Sequence, residues 1–299
     1  MKQPSHSSQE SRPKVIAAIP AFNEEKYIGT IVLKTRQYVD EVVVVDDGST
    51  DQTANVARLA GATVIQHKQN KGYGASLQTL LAEAKKKDLN ILILLDADSQ
   101  HNPDEIPHLI KPVSEGFDLV IGSREGQRAN IPRYRRIGQR VISYFSRILS
   151  GKKLADSESG FRVFSRKAIA VLELRENGMA VSAETIAKAA EKGLKITERP
   201  ISIRYTGDSS TLHPVIHGFE VLGRIIAMIS ERRPLFFFGL GGVILVVLGF
   251  LAGLRVLDIA FGGGGIATGT ALVSVLLLII GVFSVFTGVI LHVLAKRKL

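Results

Sequence analysis

The chain has 299 residues, a formal net charge of +10, 45% hydrophobic residues and no cysteine. That length suits one substantial domain with an appendage or two ordinary domains, and the lack of cysteine excludes disulfides, thiolate metal sites and cysteine nucleophiles. The charge is concentrated: residues 124–153 carry nine Lys/Arg against the single acid Glu125, a balance suited to nucleic acid, anionic lipid headgroups or a phosphorylated substrate.

Residues 1–13 are polar and lack the apolar stretch of a signal peptide, so they read as a disordered leader that leaves the following domain in the cytosol. From Lys14 onward, short β-rich apolar runs alternate with helical patterns: "KVIAAIP", a helix near 24–38, "EVVVVDD", a helix near 51–60, "ATVIQH", a helix near 74–87 and "NILILLDAD". Continuous apolar strands separated by helices predict an α/β fold with a parallel sheet covered on both faces, doubly wound. This domain is expected over 14–212. Within it, Ile137, Val141, Tyr144, Phe145, Ile148 and Leu149 fall at helical spacing, with Arg136, Arg140 and Arg147 opposite, which predicts an interfacial helix over 133–150.

A second amphipathic helix is expected over 213–233, followed by an anchor over 234–299. Residues 235–254 and 266–291 contain no charge, and each is long enough to cross a hydrocarbon core of about 30 Å. "ERRP" before the first span and "AKRK" after the second place both flanks, and hence the preceding α/β domain and both termini, on the cytoplasmic side. His213 and His217 in "HPVIH" lack the glutamate and third ligand of a zinc site, and Pro214 suits a helix start.

In open α/β sheets ligands bind beyond the carboxyl ends of the strands. The ends here carry "PAFNEE" (20–25), "DDGSTD" (46–51), "NKGYGAS" (70–76) and "DADSQ" (96–100). Singly, each is explained by helix capping or a tight turn; four together at one edge point to a site. Neither a Walker loop nor the three-glycine dinucleotide fingerprint is present. A nucleoside diphosphate can instead be neutralised by a hard cation, Mg²⁺ or Mn²⁺, held by one or two carboxylates and the phosphates themselves. Asp96 and Asp98, two apart on extended chain, suit that task.

In order along the chain, "IPAFNEE", "VVDDGSTD", "NKGYGASL", "LDADSQHNP", "IGSR" and "DSESGFRVFSR" resemble the family-2 glycosyltransferases of GT-A fold, in particular the polyprenyl-phosphate sugar synthases, over about residues 14–210. The resemblance implies that Asp96, Ala97 and Asp98 meet the sugar nucleotide, with Asp96, Asp98 and Gln100 at the metal. It further implies that Pro20, Phe22, Glu24, Val45 and Asp47 surround the nucleoside and that Arg124 meets the diphosphate. Asp156, before "SGFR", is the implied acceptor-side acid, and Glu184 and Arg204 are further candidates, Arg204 on the donor. A phosphate monoester is already largely ionised at neutral pH, with a second pKa of about 6, so Asp156 is expected to position more than to abstract. The chain has no tryptophan and so no Q-x-x-R-W motif of processive relatives, which favours a single transfer.

The expected activity is transfer of a hexosyl group, with inversion, from a GDP-mannose or UDP-glucose type donor to dolichyl or polyprenyl phosphate at the bilayer. The resemblance leaves a homo-oligomer open. A nucleotidyltransferase would account for the acids but not for the two spans. A membrane-tethered binder of anionic lipid or RNA would rest on the arginine segment, where stacking aromatics are not interleaved, so nucleic acid is not an expected partner.

Overall fold

The computed structural model describes residues 13–124, 151, 154–203, 222–230, 233–262 and 268–297. Residues 1–12 of the predicted leader, the interfacial helix over 133–150, Arg204, His213, His217 and just over half of the 213–233 helix lie outside the described residues. The chain divides into two compact units, Met1–Leu222 and Gly223–Leu299.

The first unit is built on seven strands: β1 (Val15–Ala21), β2 (Glu41–Asp46), β3 (Thr63–Gln66), β4 (Ile91–Leu94), β5 (Leu119–Ser123), β6 (Arg162–Ser165) and β7 (Ile196–Pro200). They form one sheet in the order β3-β2-β1-β4-β6-β5-β7. All neighbours run parallel except β6, which is antiparallel to both β4 and β5. Every residue of β1, β4 and β5 is buried, as continuous apolar runs require when both faces are covered. Alternate residues feed two cores: Ile93, Val120 and Val163 point to one face, and Leu92, Leu94, Ile121 and Phe164 to the other.

Helices α1 (Ile28–Thr35), α2 (Thr53–Leu59), α3 (Tyr73–Lys86), α4 (Ile106–Ser114), α5 (Arg166–Val171) and α6 (Val181–Glu191) complete this unit. The first helix begins at Ile28 rather than near residue 24 because residues 23–25 are laced to the loop after β2. Asn23 N–H donates to Ser49 Oγ (2.9 Å), Glu24 N–H to Thr53 Oγ1 (2.7 Å) and Glu25 N–H to Asp51 Oδ2 (3.2 Å). In return, Thr50 N–H donates to Asn23 Oδ1 (2.9 Å) and Gln52 N–H to Glu25 Oε2 (2.8 Å). Asn23 adopts a positive φ of 54° in this lattice, a conformation asparagine tolerates better than most residues.

The second unit contains α7 (Leu240–Phe261), entered through a π turn at Leu235–Gly239, and α8 (Thr268–Arg297). Leu235–Phe261 and Thr268–Leu294 are each 27 residues with mean hydropathy of 2.6 and 2.7, long and apolar enough to cross a membrane. The two helices run antiparallel and meet backbone to backbone. A Cβ on Gly242 would fall 2.6 Å from Gly281 O, and one on Gly281 2.8 Å from Gly242 O. Ser274 Oγ donates to Gly249 O (2.7 Å) and Ser284 Oγ to Phe238 O (2.9 Å). Small residues and interhelical hydroxyl bonds are how helices associate where no hydrophobic driving force separates side chains from lipid.

Candidate active site

The carboxyl ends of β1, β2, β4 and β5 and the amino end of the reversed β6 lie at one edge of the sheet. Pro20 and Val45, both buried, are register partners on β1 and β2, and Phe22, just beyond β1, is 43% exposed. This edge therefore offers a rigid apolar floor with one exposed aromatic ring beside it.

Beyond β4 stand Asp96 and Asp98, with buried Ala97 between them. Asp96 N–H donates to His101 Nδ1 (3.3 Å), and its Oδ1 accepts from the Tyr73 hydroxyl (3.3 Å). Asp98 Oδ1 accepts from Gln100 N–H (3.0 Å) across a turn in which Ser99 takes a φ of 65°. Burial pushes the Asp96 carboxyl up, against the pull of Tyr73, Arg124 and Arg162. Asp98 is pushed up by burial and then by Asp96. Glu24 is pushed up to about 7 by burial and by Asp98, Asp51 and Asp96. Three carboxyls thus crowd one region, and each favours gaining a proton or a cation.

Such a set fits a hard divalent ion in donor chemistry, since Asp96, Asp98 and Gln100 supply only oxygen ligands through their side chains. Among the described residues no group of three or more His, Cys, Asp or Glu is placed to hold a metal ion. A cation held there would take part of its coordination shell from these side chains and the rest from phosphate oxygens and water. His101 is unsuited to act as a cation itself: burial pushes its pKa down to about 4, and its Nδ1 already accepts a backbone N–H.

Arg124 follows β5 and forms a two-pronged pair with Asp156: Nε to Oδ2 at 2.5 Å and an Nη to Oδ1 at 2.7 Å, with Arg124 N–H also donating to Oδ2 at 3.1 Å. Burial raises the Asp156 carboxyl, but the Arg124 bonds and charge outweigh it and hold the group below its usual range. The loop carrying Asp156 is anchored by Glu198 on β7, which accepts the N–H groups of Ala155 and Asp156 at 2.9–3.0 Å. Arg162, 1% exposed, donates to the carbonyls of Ser157, Ser159 and Ser182 and so shapes the same loop from below.

Asp47 accepts the N–H groups of Lys71 (3.0 Å) and Gly72 (2.8 Å) and bonds His67 Nδ1 (2.6 Å). A carboxylate has about four acceptor sites, so these bonds occupy most of those on Asp47, which is 4% exposed. Glu184, a further candidate, accepts the N–H groups of Arg175 and Glu176 at 2.9–3.0 Å and pairs with Lys188 at 2.8 Å, and so braces the segment before α6.

Several contributors escaped sequence reasoning. Continuing the β4–β6 register by two residues places Asp96 opposite Gly160, and a Cβ there would lie 2.3 Å from Asp96 Oδ2. Glu105 accepts from Ser202 N–H (2.9 Å) and Oγ (2.7 Å), and His101 bridges Ile203, so the chain leaving β7 is stitched to the Asp98 loop immediately before Arg204. None of these contacts has a local sequence signal, because each joins segments far apart in the chain.

A mixed sheet with paired acids beyond its central strand, and an arginine at the end of the strand beyond β6, fits the GT-A fold, and the comparisons with known proteins give the class as glycosyltransferase. Residues 16–172 match the family Glycosyl transferase family 2, and the chain belongs to that family. It is 32% identical to the UDP-N-acetylglucosamine–dolichyl-phosphate N-acetylglucosaminyltransferase of Methanococcus voltae, over 70% of this chain and 94% of that one. It is 30% identical to the dolichyl-phosphate hexose transferase of Haloferax volcanii (71% and 92%). Identity is 28% with the undecaprenyl-phosphate 4-deoxy-4-formamido-L-arabinose transferase of Klebsiella pneumoniae (93% and 86%). Glucosyl-3-phosphoglycerate synthase of Mycobacterium tuberculosis, solved with UDP, shares the fold with a TM-score of 0.60 at 21% identity, over 77% of this chain and 87% of that one. The same enzyme has been solved with Mn²⁺ and UDP-glucose.

Proposed function

We propose that this glycosyltransferase moves a hexosyl group from a nucleoside diphosphate sugar to dolichyl or polyprenyl phosphate, at the cytoplasmic face of a membrane in which α7 and α8 form its anchor. The observation that carries this reading is the cluster of Asp96, Asp98 and Glu24, whose carboxyls are all raised, at the sheet edge that also bears the Arg124–Asp156 pair. The acceptor class draws support from the named relatives, which act on dolichyl phosphate or undecaprenyl phosphate, and from the two apolar helices.

Asp96, Asp98 and Gln100 would hold Mg²⁺ or Mn²⁺, which supplies charge neutralisation for a departing diphosphate. Phe22 offers a face for the base, and Pro20 and Val45 the floor beneath it. Arg124 stabilises negative charge on the diphosphate, and Asp156 keeps its guanidinium aimed so that little reorganisation accompanies transfer. Because Asp156 is already paired, it takes no proton. None is required, since the acceptor phosphate is itself the nucleophile and is largely ionised at neutral pH. A single displacement then inverts the anomeric centre.

The test is incubation of detergent-purified protein with Mn²⁺ or Mg²⁺, polyprenyl phosphate and a panel of labelled GDP- and UDP-sugars. One donor should give an organic-extractable labelled lipid, and Asp98→Asn should abolish it. Absence of product with every donor would defeat the proposal, and full activity of Asp98→Asn would defeat the role of that acid.

A further inference from the structure

The glycine-rich stretch "NKGYGAS", residues 70–76, leads from β3 into α3. In the structure it does not wrap open space; it is docked. A Cβ on Gly74 would fall 2.1 Å from Glu176 O, and one on Gly72, at a φ of 96°, 2.5 Å from Asn177 O, so both positions require glycine for close backbone approach. Gly74 N–H donates to Asn177 O (2.7 Å), and so does Ala75 N–H (3.3 Å), which satisfies donors at the start of α3 that would otherwise be orphaned. Gln78 Nε2 donates to Glu176 O (3.0 Å), and Asp47 accepts Lys71 and Gly72 from the other side.

Tyr73 sits between these anchored residues as the first residue of α3. Its backbone is therefore held from both flanks, and its hydroxyl donates to Asp96 Oδ1 at 3.3 Å. The same carboxylate lies over the bare Cα of Gly160, and its residue's backbone N–H is bound to His101. Asp96 thus has its main chain fixed by His101 and room made by Gly160, while the Tyr73 hydroxyl bonds one oxygen of its carboxylate and the other lies 3.6 Å from His101 Nδ1.

We propose that Tyr73 is a positioning residue for Asp96, and that the docked glycine-rich turn exists to aim its hydroxyl and so set the affinity of the site for a divalent cation with its nucleotide. The inference rests on the proposed role of Asp96 in holding donor and cation. A hydrogen bond to a charged group of this length corresponds to about a tenfold change in affinity.

The experiment measures Mn²⁺ binding to the full chain in detergent by electron paramagnetic resonance, with UDP and with GDP, alongside thermal melting and steady-state kinetics. Tyr73→Phe removes one oxygen and keeps the ring. It should melt with the wild type, bind Mn²⁺ with nucleotide about tenfold more weakly, and raise the donor KM more than it lowers kcat. Tyr73→Leu should weaken binding by a similar factor. Wild-type affinity in Tyr73→Phe overturns the inference, and affinity lost only in Tyr73→Leu assigns the effect to ring packing and also overturns it. Asp96→Asn serves as the control: if it binds Mn²⁺ as the wild type does, the site reading itself has failed, whereas loss in Asp96→Asn without loss in Tyr73→Phe sinks the positioning role alone.

Discussion

Replacing Gly160 by alanine adds one methyl group where the chain, two residues before β6, passes Asp96. The new Cβ would lie 2.3 Å from Asp96 Oδ2, 2.5 Å from Oδ1 and 2.7 Å from Cγ, where ordinary contact begins at 3.4 Å. The backbone of Gly160 is not in the left-handed region, so alanine fits the conformation and the whole conflict falls on the carboxylate. Asp96 must retreat by about 1 Å, a displacement that costs roughly 100-fold in rate when it moves a group out of reacting geometry. The clash is with the end of a short polar side chain, not with backbone, so the folding cost stays near the low end of overpacking, about 1 kcal/mol. That lowers Tm by about 2–4 °C in a domain of this size. Thermal melting together with extraction of labelled lipid product checks both halves. A Gly160→Ala protein that keeps more than half of wild-type turnover, or that fails to fold, would refute the argument that this glycine makes room for Asp96.

Three further outcomes are expected. Asp156→Asn should lower kcat/KM by about 10- to 100-fold through loss of the two-pronged hold on Arg124, while leaving the shape of the pH–rate profile between pH 5 and 8 unchanged, because the Asp156 carboxyl already titrates below its usual range; disappearance of a limb in that window would restore a proton-transfer role. Glu184→Ala should orphan the N–H groups of Arg175 and Glu176, cost about 1–3 kcal/mol, and reduce Tm with a comparatively small change in donor KM; a selective KM increase without a Tm change would contradict its assignment as a brace. The third concerns pH. Glu24 is raised to about 7 in the folded protein, and Asp96 and Asp98 are raised too, so without a cation the folded state binds more protons than the unfolded chain between the ordinary carboxyl range and about pH 7. Stability contributed by these groups is therefore lost as pH rises through that window. The Tm gain from Mn²⁺ with UDP or GDP should be larger at about pH 7.5 than at about pH 5.5, where the cation must displace protons. Equal gains at both values would argue against cation binding at these carboxyls.

The parts of the fold that were legible in the sequence are those with local causes. The Val/Ile runs of β1, β2 and β4 read as buried parallel strands because burial on both faces removes polar alternation. The reversed strand β6 did not, since "RVFS" is four residues long and begins with an arginine buried through bonds to carbonyls on two other segments. The acids beyond β4 and Arg124 beyond β5 were legible as site candidates, because strand ends collect function in such sheets. The bracing role of Glu184 was not legible, because its partners are backbone N–H groups eight and nine residues earlier. Gly160, Tyr73, His101 and Glu198 act through cross-strand register or long-range contact, and no periodicity encodes that.

The central claim is that a lipid phosphate displaces a nucleoside diphosphate from a sugar at this site. Its most direct test is the release of nucleoside diphosphate by the detergent-purified protein, measured with and without polyprenyl phosphate, for the donor that labels lipid. The account predicts release that depends on the acceptor, one nucleoside diphosphate for each glycosylated lipid phosphate formed, with the anomeric configuration inverted. Release of pyrophosphate instead, or of nucleoside diphosphate at the same rate without acceptor, would contradict it.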